Sequence, residues 1–90
     1  MNTKFSSEIL DKLIVIKKRD SKLFSKIRKQ LALFEENPKH PSLRKHKLTG
    51  GSDDLWSISI NMSFRMIYKQ LDQNTAYFTK MGTHEEVYRR

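Results

Sequence analysis

The chain has 90 residues, 37% of them hydrophobic and 31% charged, and 18 Lys and Arg against 10 Asp and Glu give a formal net charge of +8. This length holds one core and excludes a second, the lack of cysteine excludes a disulfide framework or a thiolate metal site, and no stretch approaches the roughly 20 apolar residues of a membrane span. So large a positive excess repels itself in a compact state, and it points to an anionic partner: nucleic acid, an anionic membrane or an acidic protein.

Met1 to Ser6 reads as a brief first strand with Phe5 turned inward. From Ser7 the pattern becomes helical. Ile9, Leu10, Leu13, Ile14 and Ile16 follow amphipathic spacing, Ser6 or Ser7 can cap the start with Glu8 in the first turn, and Lys17-Lys18-Arg19 suits the end. Asp20-Ser21 restarts the pattern. Leu23, Phe24, Ile27, Leu31 and Phe34 form a second stripe, with Lys22, Lys26, Arg28, Lys29 and Gln30 on the outer faces, and Pro38 ends this helix near Asn37. The two helices are expected to form an antiparallel hairpin.

Lys39 to Gly51 reads as a loop or irregular extended segment. It holds Pro41, the densest basic stretch of the chain (Lys39, Arg44, Lys45, His46, Lys47) and the Gly50-Gly51 pair, and Asp53-Asp54 interrupts it. Next, Trp56, Ile58, Ile60 and Met62 alternate with Ser57, Ser59 and Asn61, the period of a strand, which places Trp56 in the core. Asn61-Met62-Ser63 reads as a turn, Phe64 to Leu71 as a second strand, Asp72-Gln73-Asn74 as a turn, and Thr75 to Met81 as a third strand broken by Gly82. The tail from Thr83 to Arg90 looks too short for an element of its own. The expected architecture is a single α+β domain over 1–90: a short strand, a helical hairpin and an antiparallel meander, with both helices on one sheet face. No signal peptide or membrane span is expected, and the lack of cysteine fits a reducing cytoplasm.

Four segments in this order resemble a known family. They are His40-Pro41-Ser42-Leu43-Arg44-Lys45-His46-Lys47-Leu48-Thr49-Gly50, a strand opening at Leu55-Trp56-Ser57-Ile58, then Phe64-Arg65-Met66-Ile67-Tyr68, and the closing Gly82-Thr83-His84-Glu85-Glu86-Val87-Tyr88. Together they resemble the RelE/ParE superfamily of toxins from toxin–antitoxin modules, the YafQ-like and related RelE branches in particular. The resemblance covers essentially the whole chain. It implies a strand, a helical hairpin and an antiparallel sheet. It also implies a metal-independent endoribonuclease that cleaves messenger RNA, within the ribosome, and an acidic antitoxin as partner. No metal, small-molecule cofactor or membrane is expected.

Cutting RNA without a metal requires a base for the 2′-hydroxyl proton, cations for the charge that builds on phosphorus, and an acid for the leaving 5′-oxygen. Histidine suits proton transfer and arginine suits phosphate. His84, in the Gly-Thr-His position, and His46, in the basic segment, are the candidates for proton transfer. Arg65 matches a phosphate-binding arginine of the family and Tyr88 its terminal aromatic, which stacks on a base or assists proton transfer. Arg44, Lys45 and Lys47 are the expected footprint for the RNA backbone. His40 is read as a loop residue, Glu85 and Glu86 as solvated charges.

The sequence departs from the YafQ-like branch at Ser59 and Ser63, where that branch carries a second histidine and an aspartate. Two rival readings follow from the shared fold: a ParE-type toxin that binds DNA gyrase without cutting RNA, and a homologue that has kept the fold and lost the activity.

Overall fold

The computed structural model describes residues 1–48 and 54–88, Tyr88 by its backbone. The Gly50-Gly51 pair, Asp53 and the Tyr88 side chain lie outside the described residues. Strand β1 (Asn2–Phe5) leads into helix α1 (Ser7–Arg19) and helix α2 (Ser21–Glu36). A 3-10 turn at Pro41–Leu43 and strand β2 (His46–Lys47) follow, then β3 (Leu55–Ser59), β4 (Phe64–Asp72), β5 (Thr75–Thr83) and a short helix α3 (His84–Tyr88).

Ser6, one of the two expected caps, opens α1, and Asp20, where the pattern restarts, caps α2. Ser6 Oγ accepts the Ile9 N–H at 3.2 Å and Asp20 Oδ1 accepts the Leu23 N–H at 3.1 Å, each meeting a donor that the first turn leaves without a partner. The α1 stripe is narrower than its sequence suggests. Ile9 is buried and Leu13 and Ile16 pack on the core, while Leu10, Ile14 and Val15 remain about half exposed. On α2, Ile27 and Phe34 are buried as expected, and Gln30, expected outside, is buried with them.

The sheet has five strands in the order β1-β5-β4-β3-β2. Three of its pairs are antiparallel, and β1 runs parallel to β5, Asn2 opposite Thr75 and Phe5 opposite Phe78. The sheet is therefore mixed where an antiparallel one was expected. A hairpin forces antiparallel pairing, whereas β1 and β5 are joined by the entire intervening chain, helices included, which permits the parallel arrangement. β1 is short, as expected, and lies at an edge of the sheet.

Register decides which side chains share a face, because alternate residues of a strand point to opposite sides. Trp56, Tyr68, Phe78 and Phe5 form one row across β3, β4, β5 and β1, and Ile58, Met66 and Met81 a second. These rows meet the helices: Phe34 of α2 packs on Tyr68 and Phe78, with ring centroids 5.0 and 5.6 Å apart, and Phe5 stacks on Phe78 at 5.6 Å. The opposite face carries Ser57 and Ile67 in one row, with Ser59, Arg65 and Gly82 in the next. Two further elements were not expected. The His46–Lys47 segment is an edge strand paired with Ser57 and Trp56, and β5 is followed by α3, which packs on β4 and β5.

Candidate functional site

Arg65 sits at the second position of β4, in the row of Ser59 and Gly82 rather than the Ile58–Met66 row that meets α1 and α2, and its side chain reaches along the sheet edge toward Arg44. Its Nε donates to Ser57 Oγ at 2.6 Å and its Nη2 donates to the Arg44 carbonyl at 3.1 Å, while His46 Nδ1 lies 3.4 Å from Nη2. One guanidinium thus joins three elements: the neighbouring strand β3, the end of the 3-10 turn, and β2. Pairing sets this up, since His46 is opposite Ser57 and both share the face of Arg65. Arg44 supplies its carbonyl from a left-handed conformation (φ 44°), which costs a non-glycine residue roughly 1–3 kcal/mol.

His84 opens α3. Its N–H donates to the Ser63 carbonyl at 3.2 Å, just before β4 begins, and Gly82 faces Arg65 across the β4–β5 ladder. His84 is therefore anchored at the end of β4 that carries Arg65. The turn into α3 depends on two local features. Thr83 N–H donates to Glu86 Oε1 at 2.8 Å and Glu86 N–H donates to Thr83 Oγ1 at 3.4 Å, the reciprocal pattern of a capping box. The Thr83 hydrogen bonds, backbone first, hold the Glu86 carboxyl below the usual glutamate range. Gly82 has φ +155°, and a Cβ there would stand 3.0 Å from Glu86 Cβ. Glu86 thus serves the backbone as a cap, a role its reading as a solvated charge did not contain.

The remaining basic residues separate. Lys47 is opposite Trp56, on the other sheet face from His46. Lys45 Nζ lies 4.7 Å and Lys47 Nζ 5.9 Å from the Trp56 ring centroid, within cation–π range. Lys47 also pairs with Asp54 at 3.3 Å. Burial, with a smaller contribution from Lys39, lowers the pKa of Lys45. The structure therefore brings together Arg65, His46, Ser57 and the Arg44 backbone, fixes His84 beside the Arg65 end of β4, and directs Lys45 and Lys47 to half-buried Trp56. His40 caps the 3-10 turn, its Nδ1 accepting the Ser42 N–H at 3.1 Å.

No family model matches the sequence, and no curated protein matches it. Solved structures do. YafQ from Escherichia coli strain BL21(DE3) superposes with a TM-score of 0.75 at 19% identity, over 97% of each chain.

The fold is that of the YafQ and YoeB toxins.

The YoeB–YefM complex from Staphylococcus aureus matches with a TM-score of 0.75 at 21% identity, over 93% of this chain and 97% of that one. The E. coli DinJ–YafQ toxin–antitoxin complex matches with a TM-score of 0.76 at 20% identity, over 97% and 96%.

Within this YafQ-like fold, two supporting residues escaped the sequence. Ser57, fully buried, is the acceptor that orients the Arg65 guanidinium. The buried amide of Gln30 donates to the Ser59 carbonyl at 3.0 Å and the Ser42 carbonyl at 3.4 Å, tying α2 to β3 and to the segment that leads into Arg44 and His46. Ser59 and Ser63 serve the β3–β4 turn: Ser59 Oγ donates to the Asn61 carbonyl at 2.8 Å, and Asn61 Oδ1 accepts the Ser63 and Phe64 N–H groups at 2.9 and 2.8 Å. Among the described residues, no three His, Asp or Glu side chains group as metal ligands would, and no helix is long and apolar enough to cross a membrane.

Proposed function

We propose that this chain is the toxin of a toxin–antitoxin pair and that it cuts messenger RNA, presented by the ribosome, at a phosphate held by Arg65. The observation that carries the reading is the fixing of the Arg65 guanidinium by Ser57 and the Arg44 carbonyl beside the His46 ring. Bonds at Nε and Nη2 hold the plane of the fork, so a phosphate meets an oriented donor rather than a mobile one, which places charge stabilisation ahead of the reaction.

In this reading His46 and His84 divide the proton transfers. One removes the 2′-hydroxyl proton as that oxygen attacks phosphorus, and the other protonates the departing 5′-oxygen, which leaves a 2′,3′-cyclic phosphate and a free 5′-hydroxyl end. Arg44, Lys45 and Lys47 contribute to the field that draws the RNA backbone. Tyr88 is assigned the stacking role through the family resemblance. The partner is an acidic antitoxin that covers the basic surface, in keeping with the complexes in which the YafQ and YoeB structures were solved.

The test is controlled expression of the wild type beside Arg65→Ala and His84→Ala, scored by growth and by mapping 5′ ends of messages. The wild type should arrest growth and generate new ends within translated messages, and both variants should lose the ends. Intact messages with unchanged polysomes refute the reading. Filamentation with an SOS response in their place indicates a gyrase-binding toxin.

A further inference from the structure

The β3–β4 turn (60–63) stands against α2 and borders a trough that opens directly onto Arg65. Its floor and walls include Lys26 and Lys29 of α2, His40 and Arg44 of the connecting segment, Asn61 of the turn, and Arg65 itself, around a cleft of about 670 Å³. The permanent cations there come from three separate elements and face a shared concavity, and no carboxylate lines this cleft among the described residues. A second cleft of about 620 Å³ on the other side of the turn shares Lys26, Lys29 and Asn61. Basic helix faces are usually solvated, as the Lys17-Lys18-Arg19 end of α1 illustrates. The Lys26–Lys29 face differs in being the wall of a cleft, and Lys26 is half-buried in it. Like charges gathered without a counter-charge raise the energy of the folded state until a polyanion occupies the space between them.

We infer that this trough holds the phosphates of the single RNA strand that continues from the scissile phosphate at Arg65. The inference rests on the nuclease reading for the position of that phosphate. Continuity favours RNA over an acidic protein: a strand whose phosphate sits on Arg65 must carry its next phosphates away from that point, and the acid-free cleft begins there. α2 is then part of the substrate-binding surface, and the Lys26–Lys29 pair sets affinity for extended RNA without touching the reacting bond.

The test measures fluorescence anisotropy of a 2′-O-methyl RNA, which cannot be cleaved, over a range of salt. Its length is about 12 nucleotides, within the usual site size of single-strand binders. Each phosphate contact contributes about 0.7 to the salt slope of single-strand binding, so Lys26→Ala/Lys29→Ala should lower the slope by about 1.4. Binding of a 2′-O-methyl dinucleotide, which reaches Arg65 alone, should not change. Lys17→Ala/Lys18→Ala removes the same net charge elsewhere and should leave the slope near that of the wild type.

An unchanged slope in the α2 variant, an equal fall in both double variants, or failure of the wild type to bind the longer RNA overturns the inference. So does an α2 variant that loses affinity for polyglutamate while binding RNA as before, which would assign the trough to an acidic protein. A lower slope in a protein that leaves messages intact retires the cleavage reading and keeps the trough, whereas message cleavage with an unchanged slope does the reverse.

Discussion

Replacing Gln30 by leucine tests whether α2 positions the site. The change nearly conserves shape and removes two donors. The Ser59 carbonyl loses its 3.0 Å bond in a buried setting, and the Ser42 carbonyl loses a longer one of 3.4 Å. A buried acceptor left without a partner costs about 1–3 kcal/mol, and the longer bond adds less. Burying leucine in place of the amide returns part of that. A net loss of about 1.5 kcal/mol is expected, which for a domain of this size lowers the unfolding midpoint by roughly 6–12 °C. Gln30→Glu sharpens the test, because a carboxylate would face two carbonyls. Its charged form is disfavoured in the folded state, so its folded pKa lies above the unfolded value near 4.3. The penalty is then absent below that pH and grows as pH rises toward the folded pKa. Thermal and urea unfolding at acid and neutral pH, with message cleavage as the functional readout, would measure both effects. A Gln30→Leu protein as stable and active as the wild type, with a pH-independent Gln30→Glu, would refute the role given to this amide.

Arg65→Lys keeps the charge but cannot reach Ser57 and the Arg44 carbonyl together, so cleavage should fall by about 10²-fold with the fold intact; equal cleavage rates in a primer-extension assay would contradict the fixed fork. Gly82→Ala places a Cβ 3.0 Å from Glu86 Cβ at a φ of +155°, and a loss of about 1–3 kcal/mol in thermal unfolding is expected. The Glu86 carboxyl is held below its ordinary range by Thr83, so the cap is complete above the unfolded glutamate pKa and is lost as pH falls through the lower folded value. The Thr83 amide shift followed by NMR should inflect below the usual glutamate range and lose that inflection in Glu86→Gln. The Tyr68 hydroxyl is buried without a hydrogen-bond partner among the described residues, and burial pushes its pKa far up. Tyr68→Phe should therefore match the wild type or exceed it by up to about 1 kcal/mol in urea unfolding, and a clear loss would show that the hydroxyl has a partner.

Helices, turns and long strands were legible because their signals are local. Ser6 and Asp20 announce caps, Pro38 stops α2, and Asn61 supplies a turn acceptor. What was not legible depended on distance or brevity. Strand β2 is two residues long, too short to display a period, and its existence rests on β3 lying alongside. Gln30 stands at core spacing between Ile27 and Phe34, but its polar side chain suggested solvent; only the carbonyls of Ser42 and Ser59 make that position favourable. Ser57 looked like the wet side of an alternating strand until Arg65 was seen to cover it. Helix α3 did have a signal, the Thr83-x-x-Glu86 box, which the reading of Glu86 as a free charge passed over. At the site, residue types and the family resemblance drew attention to Arg65 and His46, but sequence could not show that Lys45 and Lys47 lie over the Trp56 ring.

The parallel docking of Asn2–Phe5 against Thr75–Phe78 joins two segments far apart in sequence, with the helical hairpin and the rest of the sheet between them. Such a pair must close a long loop before its hydrogen bonds form, so β1 is expected to be the last strand to join the sheet during folding and the first to fray from it.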